Sequence, residues 1–396
     1  MSTIQNEMGS RFVAKRVLET PDSHRVKMIS LARQMKDVIS LGRGDPDLET
    51  PPHIIAAAKE ALDLGKPSTH YTPWIGIPEL RKAIADDYQS RTGHVVNPDK
   101  NVMVTTGAQE AIAITLFTLL NPGEEIIVPE PRYTPYDTLV EMAGGKIVSL
   151  PTDMENDFQI DPEKLDKLIT PRTKALLLIS PNNPTGCILS RESLRQVMEI
   201  ANKRDILVIF DEIYGGIIFD NVDYCNIAVF PEVRDRVITI GGISKTYSMT
   251  GWRIGYLIAP EFICSKMLDI KYSFTICAPA LSQQAAVAAL TGPQDCVRET
   301  TKIYDERRRL AMKWLDKLGM DYCEPGGSFY IYPNIEKYGM TSLELAMLIL
   351  RKANVLVFPG TAFGEAAEGH LRISLLSPAE QIDEAFKRIE KLLVEL

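Results

Sequence analysis

Between Val102 and Ala259 the sequence alternates short, continuous apolar runs with amphipathic helical stretches, and that alternation leaves few folds open. The runs are Val102–Thr106, Ile126–Val128, Ala175–Ser180, Ile206–Phe210, Val237–Gly241 and Tyr256–Ala259. Uninterrupted apolar strands need cover on both faces, as a parallel sheet provides. The segments between them carry helical spacing. In the stretch from Ser190 to Lys203, Ser190 stands at the N-cap, and Leu194, Val197, Met198 and Ala201 fall on one face. Strand, helix and strand in repetition predict an α/β fold built on a mostly parallel sheet.

The C-terminal third follows another pattern. A charged helical segment runs from Gln294 to Asp316, strands are expected at Ser328–Tyr332 and Val355–Phe358, and a helix closes the chain from Pro378 to Leu396. This predicts a smaller α+β domain. The N-terminal segment contains no evident strand of the central sheet. With 396 residues the chain has room for two or three domains and needs no disulfide staples. Its 45% hydrophobic and 24% charged residues are the balance of a soluble globular protein. A net charge of −8 argues against a nucleic-acid partner, which calls for a basic excess. The six cysteines form no C-x-x-C pair, which points to a reducing, cytoplasmic setting. The five histidines are scattered, so no metal site is expected. The N-terminus lacks the apolar core of a secretory signal. Residues 272–294 carry no charge, but Pro279, Gln283 and Gln284 interrupt them. A loop and a buried helix starting near Pro279 are expected there, not a membrane span.

Ligands of open α/β sheets bind beyond the carboxyl ends of the strands, so the residues that follow each strand matter most. After Val102–Thr106 comes Gly107-Ala108-Gln109-Glu110, a tight turn opening a helix. After Ala175–Ser180 comes Pro181-Asn182-Asn183-Pro184-Thr185-Gly186. After Ile206–Phe210 comes Asp211-Glu212-Ile213-Tyr214, and after Val237–Gly241 comes Gly242-Ile243-Ser244-Lys245. The helix start offers free N–H groups to a phosphate. A carboxylate directly after an apolar strand needs a cationic or hydrogen-bonding partner, and a protonated ring nitrogen serves. A lysine in cationic or apolar surroundings loses its proton readily and can form a Schiff base. Phosphate, ring nitrogen and imine together describe pyridoxal 5'-phosphate.

The segment from Ser244 to Gly255 (SKTYSMTGWRIG) resembles the cofactor-lysine segment of class I/II aminotransferases of the aspartate aminotransferase family, which have PLP fold type I. Pro181–Gly186 and Asp211–Tyr214 match two further signatures. Leu41–Asp47, Tyr71–Arg81 and His370–Ser374 match others in the expected order. The resemblance implies a large domain, 49–285, with a mostly parallel, mixed seven-stranded sheet between helices. It implies a small α+β domain built from 1–48 and 286–396. Lys245 would form the Schiff base with the cofactor and shuttle the proton. Asp211 would keep the ring nitrogen protonated, and Tyr214 and Asn183 would hydrogen-bond the ring oxygen. Arg253, Ser244, the Gly107 turn and the amides of Ala108 and Gln109 would hold the phosphate, and Tyr133 would stack on the ring. Arg372 would bind the substrate α-carboxylate, assisted by Gly44 and Asn183. Tyr71 would reach the phosphate of a neighbouring subunit, which implies a homodimer with shared active sites.

The implied activity is ping-pong transfer of an amino group from an L-amino acid to a 2-oxo acid, with 2-oxoglutarate or pyruvate as acceptor. A C–S β-lyase of the same fold is the alternative. Two positions depart from the family pattern. Gly242 stands where a phosphate-binding serine is common. Gln109 stands where one bacterial branch of aspartate aminotransferases has a lysine for the distal carboxylate. Gln109 therefore points toward a neutral, aromatic or broad donor range, with aspartate still open. His24, Arg25 and Arg43 remain as candidate charges for the side-chain pocket, without a position.

Overall fold

The structure is a computed structural model that describes residues 12–18 and 24–394. The strands in chain order are β1 (Ile39–Ser40), β2 (Val102–Thr105), β3 (Glu125–Glu130), β4 (Lys146–Pro151), β5 (Thr173–Ile179) and β6 (Leu207–Asp211). They continue with β7 (Val237–Gly242), β8 (Gly255–Ile258), β9 (Tyr330–Ile331), β10 (Val355–Leu356), β11 (Phe358–Pro359) and β12 (Leu371–Ser374). Seven of them make one sheet in the order β2-β8-β7-β6-β5-β3-β4. All its pairings are parallel except those of β8, which runs antiparallel to β2 and β7.

The strand period of two sorts the side chains onto two faces. Leu176 and Leu178 join Val208, Phe210 and Val104 under the helices Pro52–Asp63, Pro78–Thr92, Arg191–Arg204 and Ala280–Thr291. Ala175 and Leu177 join Ile209, Ile238 and Met103 under the helices Ala108–Leu119 and Glu261–Thr275. Both faces are covered, which is why the runs read as continuously apolar. The helix Arg191–Arg204 buries Leu194, Val197, Met198 and Ala201 as expected, and the Ser190 hydroxyl accepts the N–H of Ser193.

The chain ends pack together. Ile39 pairs in parallel with Val355, and Ser40 with Leu356. Met28, Ile39 and Leu41 share a third core with Trp314, Leu345, Ile373 and Phe386. The closing helix is Ala379–Val394; the last two residues expected in it, 395–396, lie outside the described residues.

Three expectations need correction, and one strand had no expectation at all. The run Val355–Phe358 is two strands, because the chain changes partners after Leu356: β10 joins β1, while Phe358 pairs with Arg372 of β12. The strand expected from Ser328 begins at Tyr330, because Ser328 takes the left-handed conformation (φ 61°) and breaks the extended ladder. Tyr272–Thr275 are not loop but the last turn of the helix Glu261–Thr275. Finally, β4 had no counterpart among the predicted runs. It is a sheet-edge strand with mostly part-exposed residues, so Lys146-Ile-Val-Ser-Leu-Pro lacks the continuous apolar signal. Among the described residues no helix is long and apolar enough to cross a membrane. No cluster of His, Cys, Asp or Glu there is suited to a metal.

A buried ion pair braces the helix that starts at the crevice. Lys271 is fully buried; its Nζ donates to Glu110 Oε2 at 2.9 Å and to Thr275 Oγ1 at 2.6 Å. Glu110 Oε2 also accepts the N–H of Thr106 at 2.5 Å. Lys271→Ala strands the Glu110 carboxylate without its counter-charge and is expected to cost about 3–5 kcal/mol in urea denaturation. A loss below about 1 kcal/mol would show that the pair carries no such role.

Candidate functional site

A cavity of about 750 Å³ opens at the carboxyl ends of the central strands, between the sheet and the segment that carries β10 to β12. One end is built to receive an anion. Gly107 (φ 79°) precedes the helix Ala108–Leu119, so the N–H groups of Ala108 and Gln109 lie in its first turn, where no intrahelical acceptor exists. β8 passes so close that a Cβ on Gly255 would lie 2.3 Å from Ala108 N. Only glycine allows that approach. The Arg253 guanidinium lies over the Gly107 turn, its Nη1 donating to the Thr250 carbonyl at 3.1 Å. Ser244 lines the same cavity.

The centre holds an acid and an amine. Asp211, the last residue of β6, is 3% exposed. Its Oδ2 accepts the Tyr136 hydroxyl at 2.7 Å and its Oδ1 the Ile213 N–H at 3.0 Å. Burial pushes its carboxyl up to about 6, against the pull of these two hydrogen bonds. Lys245 is half-buried, its Nζ donating to the Gly44 carbonyl at 2.6 Å. Although the amine faces the cavity, the surrounding protein holds its pKa down to about 8. Arg253 and Arg372 push the same way, and Asp45 opposes them. Tyr214 is buried edge-on against Phe329 and Tyr330, with centroids 5.3 and 5.9 Å away. Burial raises its hydroxyl well above the ordinary tyrosine range.

The far end is a guanidinium in an aromatic cage. Arg372 is 2% exposed and sits 4.3 Å from the Tyr330 ring centroid, 4.9 Å from Phe363 and 5.2 Å from Phe358. Its Nη1 donates to Asn183 Oδ1 at 3.0 Å and its Nη2 to the Gly42 carbonyl at 2.8 Å. Its Nε is buried and has no hydrogen-bond partner. A buried donor left open at a cavity wall suits an incoming carboxylate.

Gly44, Ala108, Gln109, Tyr133, Asn183, Asp211, Tyr214, Ser244, Lys245, Arg253 and Arg372 all line this one cavity. Gly107 lies directly behind the lining, against Arg253. Tyr71 does not belong to it: its side chain is 80% exposed on the surface. Arg25 and Arg43 line the cavity and His24 does not. At Gly242 the place of a serine side chain is taken, since a Cβ there would lie 2.9 Å from Ile213 Cδ1 and 3.2 Å from the Ile254 carbonyl.

Sequence reasoning missed Tyr136 and Tyr330. Tyr136 lies in the first turn of the helix Pro135–Met142, its ring edge-on to that of Tyr133 at 5.3 Å, and nothing in the sequence names Asp211 as its partner. Tyr330 lies inside a predicted strand, and nothing in its sequence context signals that it faces the site.

The family described as aminotransferase class I and II matches residues 36–389. The chain is 43% identical to an aspartate aminotransferase of Pyrococcus abyssi, over 93% of this chain and 95% of the relative. It is 40% identical to aromatic-amino-acid aminotransferase 2 of Thermococcus litoralis, with the same coverage of both chains. A crystal structure of an aromatic aminotransferase from Pyrococcus horikoshii superposes with a TM-score of 0.89 at 40% identity, covering 93% of this chain and 98% of that one. The mixed seven-stranded sheet, the site at its carboxyl edge and these likenesses lead to one conclusion: the chain belongs to the class I and II aminotransferases and has the PLP fold type I architecture.

Proposed function

We propose that this aminotransferase uses pyridoxal 5'-phosphate to move the amino group of an L-amino acid onto a 2-oxo acid in a ping-pong cycle. The observation that carries the reading is the convergence of Lys245, Asp211 and Arg372 on one cavity. Members of this family use that cofactor, and the residues here fit it. The open N–H groups of Ala108 and Gln109, with Ser244 and Arg253, suit a phosphate. A buried carboxyl raised to about 6 suits a cation opposite it, such as a protonated pyridine nitrogen. Tyr133 offers a ring face, and Tyr214 and Asn183 offer polar groups to the ring oxygen.

When bound, the cofactor supplies an aldehyde for amine capture and an electron-withdrawing ring that stabilises negative charge at the substrate α-carbon. Lys245 would hold it covalently, and its Nζ would hold or move the proton at the substrate α-carbon. A pKa of about 8 leaves a useful fraction of that amine neutral near neutral pH. Asp211 stays ionised as long as a cation faces it. Arg372 orients the substrate by its α-carboxylate, with Gly44 and Asn183 beside it. Aromatic walls exclude water from that contact and strengthen it.

Arg372→Lys keeps the charge but loses the planar fork and the stack on three rings. It is expected to lower kcat/KM by roughly 100-fold, mostly through KM. Near-normal kinetics in that variant would remove Arg372 from carboxylate binding.

The division into a large domain, 49–285, and a small domain, 1–48 with 286–396, is supported by the β1–β10 pairing and the shared third core. A homodimer is supported by exposed aromatic residues: Trp74 against Tyr272, Phe117 against Phe274, and Tyr71 close by in sequence. Such a patch is costly in water and suits a partner surface. Tyr71 would then serve the other subunit's phosphate. None of the six cysteines forms a disulfide.

Steady-state rates with an amino acid and a 2-oxo acid varied together test the reading. Parallel double-reciprocal lines are expected. Product formed at full rate with no 2-oxo acid present would contradict the transfer and favour a β-lyase.

A further inference from the structure

Two thiols meet where the sheet's loops pack on the C-terminal segment. Cys187 directly follows the turn Pro181–Gly186, and Cys323 lies between the helix Asp295–Leu318 and β9. They stand 136 residues apart in the chain, yet the Cys187 thiol donates to Cys323 Sγ at 2.8 Å. Both side chains are buried, and neither is part of a disulfide. The seam around them is close-packed: the Gly327 N–H donates to the Gly186 carbonyl at 3.1 Å.

The surroundings suit oxidation of the pair. Both residues lie in irregular backbone, which adjusts more readily than a strand or helix. A sulfur–sulfur bond of about 2.05 Å asks the two atoms to close by less than ~1 Å. The Cys323 thiol donates in turn to Asp157 Oδ1 at 3.4 Å, and Asp157 is exposed. A proton shed by the pair therefore has a carboxylate that leads to solvent. On the other side a cavity of about 20 Å³ lies against Cys187, room for a molecule of about the size of water. The hydrogen bond from Cys187 and burial both raise the Cys323 thiol, which keeps it protonated and leaves the first attack to Cys187.

We propose that Cys187 and Cys323 form a reversible oxidation site that a small peroxide closes to a disulfide. The Cys187 sulfur attacks one peroxide oxygen, the O–O bond breaks, one water leaves and a sulfenic acid remains. The Cys323 sulfur then attacks the Cys187 sulfur and the S–O bond breaks. The Cys323 proton passes by way of Asp157 to the departing hydroxyl, and a second water leaves. Two thiols and one peroxide give one disulfide and two waters; the sulfurs lose the two electrons that the peroxide gains. A bond of this kind is transient in a reducing setting and forms under oxidative stress. It fastens the turn that carries Asn183 to the segment that leads to Tyr330. Neither thiol lines the large cavity, so the bond acts as a clasp on the seam and leaves the site open. This inference does not depend on the aminotransferase reading.

The test treats the cofactor-loaded full chain with hydrogen peroxide, blocks the remaining thiols and maps its peptides without reductant. A peptide linking Cys187 to Cys323 is expected, with loss of two of the six free thiols and their return on adding dithiothreitol. Closing so long a loop should raise the thermal midpoint by roughly 5 °C, with turnover retained. Cys187→Ala and Cys323→Ala should each abolish the linked peptide and the peroxide-dependent gain in thermal midpoint. Each variant is compared with its own untreated sample, so a cost of the substitution to folding cancels, and the peptide map of the unaltered protein decides without any variant. Retention of all six thiols, a linkage between other cysteines, or oxidation of Cys187 to a sulfinic acid in place of the linkage would overturn the site. A linked protein that melts no higher or loses turnover would overturn its role as a clasp.

Discussion

Lys245→Ala is expected to lower turnover by roughly 10⁴-fold or more while the fold persists. On the proposed reading the residue would supply both the covalent anchor and the base, and no other lysine lines the cavity. The other cations lining the cavity, Arg25, Arg33, Arg43, Arg253 and Arg372, are all guanidinium groups, which do not lose a proton at accessible pH. The substitution leaves no stranded counter-charge, because Nζ bonds a neutral carbonyl, that of Gly44, at 2.6 Å. Stability should therefore change little. The amine's environment adds a pH signature. Burial and two neighbouring guanidiniums bring Lys245 down to about 8, so its neutral fraction rises with pH and levels off above that value. Covalent capture of pyridoxal phosphate by the cofactor-free protein should follow the same curve. A midpoint near 10, as for a solvated lysine, would contradict the burial argument.

Asp211→Asn is expected to cost roughly 10³-fold in kcat, and its effect on stability should depend on what fills the cavity. Asn keeps the shape and its one oxygen can accept from Tyr136 or from the Ile213 N–H but not from both, and it carries no charge to hold a ring nitrogen protonated. In the cofactor-free protein the aspartate is a burden. Its carboxyl is raised from 3.8 to about 6, so the folded state binds a proton that the unfolded chain has released. The associated stability is complete below about pH 4 and is lost as pH climbs through 6, a loss of about 3 kcal/mol by the linkage relation. At pH 8 the cofactor-free variant should thus be at least as stable as its parent, and thermal melts can check this. Adding cofactor should reverse the order, because only the parent gains an ion pair. Equal stabilisation of parent and variant by cofactor would show that Asp211 does not face a cation.

The parts of this fold that the sequence discloses are those buried on both sides. β3, β5, β6 and β7 are apolar runs because helices cover both faces of the sheet, so each strand and the residues following it can be located from pattern alone. For the same reason Gly107, Asn183, Asp211 and Lys245 fall into one group by their places at or just after the carboxyl ends of β2, β5, β6 and β7. β4 lies at the sheet edge, and its part-exposed side chains hide it. The split of Val355–Phe358 depends on which strands pair with each half, and one apolar run carries no information about two partners. The aromatic cage of Arg372 is drawn from Tyr330, Phe358 and Phe363, three places along the chain that only tertiary packing brings together. Arg25 can be named from the sequence but not located, because its position depends on the helix His24–Gln34 packing against Phe358 from the other end of the chain.

The most direct measurement is the absorption spectrum of the purified protein with pyridoxal phosphate, followed while amino acids and then a 2-oxo acid are added, with Lys245→Ala alongside. The account predicts a Schiff-base band in the parent that bleaches to the pyridoxamine form with a donor and returns with the 2-oxo acid. In the variant, exchange of that kind should be lost. A protein that forms no band, or forms one that no amino acid alters, would contradict the assignment of Lys245, Asp211 and Arg372 to transamination.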